Sequence, residues 1–93
     1  MDKEIVLFKS EEKKSAVEVA DALRLVADKI EAGKVILEMG ADKVELDIPG
    51  QVTFEIKAEE EAGAGGKVKR SLELEVEWGM SDNKEPIGEV KIS

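Results

Sequence analysis

The sequence predicts an α+β fold, a two-layer sandwich in which one amphipathic helix packs on a mainly antiparallel sheet of about five strands, in the order β-α-β-β-β-β. Between Leu72 and Trp78 every second residue is apolar and the residues between are glutamates, which is the period of a strand with one face on a core. Between Val19 and Ile30 the apolar residues recur at spacings of three and four, as in an amphipathic helix. One such helix can cover one face of an antiparallel sheet.

The chain has 93 residues, the size of one small domain. We expect a single α+β domain at residues 1–78 and a C-terminal extension at residues 79–93. The extension is turn-like up to Pro86, and Ile87, Val90 and Ile92 follow at apolar positions. We expect it to be flexible or to add a short edge strand.

The N-terminal third predicts one strand and the helix. Residues 4–9 contain the apolar run Ile5 to Phe8 with charged ends, as in a short strand covered on both faces. Ser15 and Glu18 fit a capping box, so the helix is expected to begin near Ala16. Gly33 then suits a left-handed helix cap.

Four further strands complete the predicted sheet. Residues 34–39 and 44–48 flank a turn at 40–43 and form a hairpin. Residues 52–58 alternate again, and the glycine-rich residues 59–66 predict a mobile connection. Residues 67–78 form the longest strand, whose apolar side includes one charge, Arg70, expected to reach the rim of the sheet.

Four features of this chain together resemble one known family. They are Phe8-Lys9-Ser10-Glu11, the helix ending Ala27-Asp28-Lys29-Ile30-Glu31-Ala32-Gly33, the segment Val44-Glu45-Leu46-Asp47-Ile48-Pro49, and the closing Leu72-Glu73-Leu74-Glu75-Val76-Glu77-Trp78. In this order, over about residues 5–78, the chain resembles the amphi-Trp domain, a small prokaryotic family named for its amphipathic, tryptophan-bearing last strand. The family has no established activity, so the resemblance implies a fold and no catalytic residue.

Charge and residue usage narrow the classes of function. The formal net charge is −8, which opposes binding to nucleic acid or to an anionic membrane surface and leaves basic proteins and cations as partners. The sequence has no cysteine, histidine or tyrosine, so the commonest general base and the thiol nucleophile are missing. It contains no phosphate-binding or nucleophile-elbow motif. We therefore expect a cytoplasmic, non-enzymatic domain with no cofactor.

The acidic side of the predicted sheet is the candidate interaction face. Its members are expected to be Glu45, Asp47, Glu55, Glu73, Glu75 and Glu77. These carboxylates either form a solvated face in which lysines and glutamates pair across strands, or recruit a basic protein surface. The alternative function is calcium or magnesium binding by surface carboxylates, although a flat sheet rarely supplies the convergent oxygens that these ions need.

Two further features provide candidate contacts. Trp78 either closes the core at the end of the sheet or acts as a partly exposed aromatic anchor for a partner. An unpaired sheet edge is the other candidate, since it can accept an extended strand from another chain or form a homodimer. The sequence thus predicts an interaction or accessory domain of unspecified partner.

Overall fold

The computed structural model describes residues 3–80 and confirms the α+β class. Its elements are α1 (Ala16–Ala32), β1 (Lys34–Met39), β2 (Asp42–Asp47), β3 (Thr53–Ala62) and β4 (Val68–Glu77). The strands form two antiparallel two-stranded sheets, β1 with β2 and β3 with β4. The chain divides into two compact units, Met1–Gly50 and Gln51–Ser93.

The predicted first strand is wrong. Residues 4–9 belong to no strand, and the side chains of Ile5, Val6 and Leu7 are exposed. An apolar run becomes a strand only when a neighbouring strand takes up its backbone hydrogen bonds, and no strand of residues 3–80 pairs with this one. The described residues therefore contain four strands where about five were expected.

The single predicted sheet is also wrong. Residues 48–52 separate β2 from β3 along the chain. The ladder of β1 with β2 and the ladder of β3 with β4 belong to separate sheets. Alternating hydrophobicity identifies strands but carries no information about which strands pair. Each ladder here joins two strands that are consecutive in the chain, which is the pairing with the shortest loop to close.

The helix begins and ends as the sequence predicts. The Ser15 side chain accepts a hydrogen bond from the Glu18 amide at 3.1 Å, and the Ser15 amide donates to the Glu18 carboxylate at 2.9 Å. This is a complete capping box. Gly33 ends the helix with φ of 91°, and its amide donates to the carbonyls of Lys29 and Ile30 at 3.0 Å.

The first hairpin follows the helix directly. The β1 strand has the predicted bounds, and Met39 pairs with Asp42, so the turn is the two residues 40–41 and β2 begins earlier than expected. Gly40 provides φ of 60°, which a two-residue hairpin loop requires. The helix packs against β1, and Val35 is buried with only 8% of its surface exposed. Among the described residues it is the sole buried apolar side chain.

The second hairpin is longer than predicted. Ten consecutive residue pairs join β3 and β4, from Thr53 with Glu77 to Ala62 with Val68. The expected mobile connection at 59–66 is therefore wrong for residues 59–62, which are strand. The loop shrinks to residues 63–67, where Gly65 and Gly66 have φ of 74° and 77° and the Gly63 amide donates to the Lys67 carbonyl.

One remaining expectation concerns the C-terminal extension. The predicted flexible or strand-forming extension at 79–93 lies outside the described residues from residue 81 onward. Within residues 3–80, no helix combines the length and the apolar character needed to cross a membrane.

We predict that Ser15→Ala lowers the free energy of unfolding of the helix-bearing unit by about 1 kcal/mol, because it removes one half of the capping box. Urea unfolding followed by far-UV circular dichroism measures this change. Ser10→Ala is the matched control, since Ser10 lies outside every described helix and strand. Equal unfolding midpoints for the two variants would show that the cap contributes nothing.

Candidate functional site

The β3–β4 hairpin has two chemically different faces. Residues directly opposite in an antiparallel ladder share a face, so the register divides the hairpin without ambiguity. We call one side the apolar face; its residues are Phe54, Ile56, Ala58, Glu60, Ala62, Val68, Arg70, Leu72, Leu74 and Val76. We call the other the polar face; its residues are Thr53, Glu55, Lys57, Glu59, Glu61, Lys69, Ser71, Glu73, Glu75 and Glu77.

Within the hairpin's own unit, the apolar face is open over most of its length. The exposed fraction is 70% for Leu72, 61% for Ile56, 60% for Val68 and 58% for Phe54. A shallow depression crosses it at Ala58 and Leu72, where the small alanine stands opposite the leucine. Contiguous exposed apolar side chains of this kind mark interaction surfaces in soluble proteins.

The charge on the apolar face is internally paired. Arg70 stands opposite Glu60 in the ladder, and its Nε donates to Glu60 Oε1 at 2.8 Å. The prediction that Arg70 reaches the rim of the sheet named no partner for its charge, and the cross-strand Glu60 is that partner. Sequence reasoning missed Glu60 by placing it in a loop. The signal was present, because Glu59 to Glu61 and Lys69 to Arg70 carry opposite charges on the two sides of the glycines.

The polar face brings together four of the six predicted acidic residues. Glu55 and Glu75 are directly opposite, and Glu73 and Glu77 flank Glu75 on the same strand. A hydrogen bond to Glu55, followed by the charge of Glu77, raises the pKa of Glu75 above its ordinary value. Like charges opposite one another weaken a ladder, so this end of the hairpin carries unfavourable electrostatics.

The other two predicted acidic residues lie in a different sheet. Glu45 and Asp47 are on β2, which forms no ladder with β3 or β4 in the described residues. Lys34 Nζ lies 2.7 Å from Glu45 Oε2 and 3.6 Å from Asp47 Oδ1. The hydrogen bond from Lys34 lowers the pKa of Glu45. These two carboxylates are therefore already paired with the ammonium group of Lys34.

The structure locates Trp78 but leaves both of its predicted roles as predictions. It follows β4 by one residue and is half-buried. Within residues 3–80, no group of three or more carboxylates is arranged to hold a metal ion. Glu55 and Glu75, which are directly opposite in the ladder, supply two carboxylates only.

Both hairpin strands also present an outer edge. Each two-stranded sheet of the described residues leaves one side of every strand without a ladder partner. The β4 edge is ten residues long, contains no proline, and its ladder with β3 proceeds without a bulge. Short length, prolines and bulges protect many sheet edges and are absent from β4, which carries only charged side chains, among them Lys69 and Arg70, as protection of this kind.

We predict that Glu75→Gln raises the urea midpoint at neutral pH. The folded chain holds the Glu75 proton more tightly than the unfolded chain, so stability falls as pH rises from the ordinary value of 4.5 through the raised pKa. The glutamine removes this loss, and its advantage should vanish below the ordinary value. Trp78 fluorescence at a chain concentration low enough for monomers gives the midpoints.

Glu45→Gln is the matched control with the opposite sign. The pKa of Glu45 is lowered, so its contribution to stability is present above the ordinary value and is lost as pH falls through the lowered pKa. Followed by far-UV circular dichroism, because Glu45 lies in the same unit as the helix, this variant should unfold at less urea than the parent at neutral pH and at equal urea in acid. A destabilised Glu75→Gln variant at neutral pH would contradict the electrostatic account of the polar face.

Comparison with known proteins identifies the family and nothing further. The chain gives no match among curated proteins or among solved structures. The model of the Amphi-Trp domain matches residues 1–93, and so extends past Trp78, where the resemblance in the sequence ended. The chain belongs to the Amphi-Trp domain family.

Proposed function

We propose that this chain is a non-enzymatic protein-interaction domain whose binding element is the β3–β4 hairpin. The observation that carries the proposal is the length of the hairpin together with its open surfaces. It has ten ladder pairs, unladdered outer edges in the described residues, and an exposed apolar face. Two-stranded hairpins are marginally stable in water, and a third strand or an apolar cover stabilises them.

The expected binding mode is addition of a strand. An extended partner segment forms backbone hydrogen bonds with a sheet edge, and its alternate side chains meet the face of the sheet. Here those side chains would lie beside Leu72 and Leu74 on the apolar face, both of which are exposed. The acidic polar face favours a partner with basic side chains on its other side.

We predict that Leu72→Lys abolishes partner binding without unfolding the hairpin. Leu72 is 70% exposed, so the lysine adds no buried charge to the free chain but places a charge where the partner's apolar side chain would lie. Affinity capture from a lysate with the parent and variant chains identifies candidates that only the parent retains. Ser71→Lys is the matched control, since it adds the same charge to the same strand on the polar face.

Support requires a second measurement with the purified partner. Its addition should slow hydrogen exchange at the amides of residues 53–62 or 68–77 in the parent chain and not in Leu72→Lys. Partners that bind both lysine variants equally, or that protect only residues outside the hairpin, would overturn the proposal.

Divalent cation binding is the competing proposal. Glu55 and Glu75 supply at most four oxygens, whereas calcium takes about six to eight, and this difference favours the protein-interaction proposal. Calcium and then magnesium titrations of the amide NMR spectrum decide between them. Saturable shifts confined to these two glutamates and their neighbours, and absent from Glu75→Gln, would favour the cation.

A further inference from the structure

The charges of β4 are divided between its two ends. Lys67, Lys69 and Arg70 precede or open the strand, and Glu73, Glu75 and Glu77 close it. A strand with this polarity is complementary to a second copy of itself running in the opposite direction. Resting on the function proposed above, we propose that the partner of the β4 edge is β4 of a second chain, paired antiparallel about a two-fold axis at Leu72.

The two faces of β4 restrict the registers in which two copies of the strand can pair. Directly opposite residues share a face, and a shift of one residue would set the apolar face of one copy beside the polar face of the other. Two registers keep both faces continuous near the middle of the strand, with the axis at Leu72 or at Glu73. The second would place Glu73 opposite its own copy, whereas the first places Leu72 there.

The register with its axis at Leu72 places opposite charges opposite each other on the polar face. It sets Lys69 opposite Glu75, Lys67 opposite Glu77, and Ser71 opposite Glu73, each twice by symmetry. No ion pair within 4 Å involves either lysine in the described residues. Glu75, whose directly opposite residue in its own hairpin is Glu55, would gain a directly opposite cation.

The same register joins the apolar faces. Val68 stands opposite Val76, Leu72 opposite Leu72, and Leu74 opposite Arg70, whose charge is already held by Glu60. Leu72 and Val68, which are 70% and 60% exposed, would each gain a cross-strand apolar neighbour. The product is a four-stranded antiparallel sheet in the order β3-β4-β4-β3, beyond the three strands needed for an independent sheet.

The β3 and β1 edges are poorer candidates. In the two central registers of β3, which place the axis at Lys57 or Ala58, Glu55 would lie opposite Glu59 or Glu61. The β1 strand offers a single Lys34 to Glu38 match over six residues, and its lysine is already bound by Glu45 at 2.7 Å. The β4 edge is thus the long edge that best complements itself.

Cysteine crosslinking tests the register on the full chain, which contains no cysteine of its own. Leu72→Cys should form a disulfide-linked dimer under mild oxidation, because the two copies lie opposite each other at the axis with Cβ atoms about 4.5–5.5 Å apart. Ala58→Cys is the matched control, since Ala58 pairs with Leu72 in the same hairpin. Its two copies would be about 14 Å apart, three strand spacings, and should not crosslink.

Charge reversal tests the self-complementarity. The parent should sediment with twice the 10.1 kDa mass of one chain. Lys69→Glu should weaken the dimer about tenfold or more, and the exchanged variant Lys69→Glu with Glu75→Lys should restore it. Lys57→Glu is the control, because both single substitutions set a glutamate opposite a glutamate within the hairpin, Glu61 for residue 69 and Glu73 for residue 57.

Three results would overturn the inference. They are a parent chain that stays monomeric at every concentration, crosslinking of Ala58→Cys in place of Leu72→Cys, and a Lys69→Glu effect no larger than that of Lys57→Glu. The monomer result leaves the proposed function intact where the parent still captures a partner that Leu72→Lys loses. Failure of that capture as well would reject both.

Discussion

The register of the β3–β4 ladder determines every surface of the second hairpin. Ten pairs in strict antiparallel order place all the large apolar side chains of the two strands on one side. A slip of one residue would exchange the two faces, and would put Arg70 opposite Glu59 or Glu61 on a different face. The Arg70 hydrogen bond to Glu60 at 2.8 Å therefore helps to hold the register at the loop end, where the strands carry little apolar surface.

The two ends of this ladder have opposite electrostatics. At the loop end, Glu60 and Glu61 stand opposite Arg70 and Lys69, whereas at the open end Glu55 stands opposite Glu75. The first arrangement favours the hairpin and the second opposes it. At the open end the large apolar pairs, Phe54 with Val76 and Ile56 with Leu74, must therefore offset the repulsion between the glutamates. That balance explains why the glutamate-rich segment coincides with the bulkiest apolar side chains of the hairpin.

Local sequence patterns predict most of the helices and strands but do not predict which strands pair. Features that depend only on residues close together in the chain are predicted well. They are helix α1, its Ser15 capping box, its Gly33 cap and the bounds of β1. Strand pairing depends on loop closure and on residues distant in the chain. For that reason local patterns place the apolar run at 5–8 in a sheet that the described residues do not form, and place residues 59–62 in a loop. Their charges pair only with residues on the far side of the glycines.

The candidate site shows the same division. The alternation from Leu72 to Trp78 predicted an amphipathic strand with glutamates on one side, and β4 has that pattern. The grouping of Glu45 and Asp47 with the β4 glutamates assumed one sheet, and they lie in another one with Lys34 as their cation. The complementarity of β4 to itself required the register and the bounds of the strand. Neither can be read from alternation alone. Alternation shows which residues of a strand share a face, but it does not show which residue lies on the two-fold axis.

Net charge and local charge act at different distances in such a self-association. Two chains of formal net charge −8 repel each other as they approach, but salt screens this repulsion beyond about 8 Å under physiological conditions. Cross-strand pairs form at about 5 Å, inside that distance, where the sign of individual neighbours matters more than the total. Long-range repulsion would therefore slow encounter between two copies, while Lys69 beside Glu75 would select the antiparallel register once they meet. A basic partner would be attracted at both distances, whereas a second copy is attracted only at the shorter one. A second copy must therefore be favoured at the β4 edge by the length of the ladder and by its apolar cross-strand pairs.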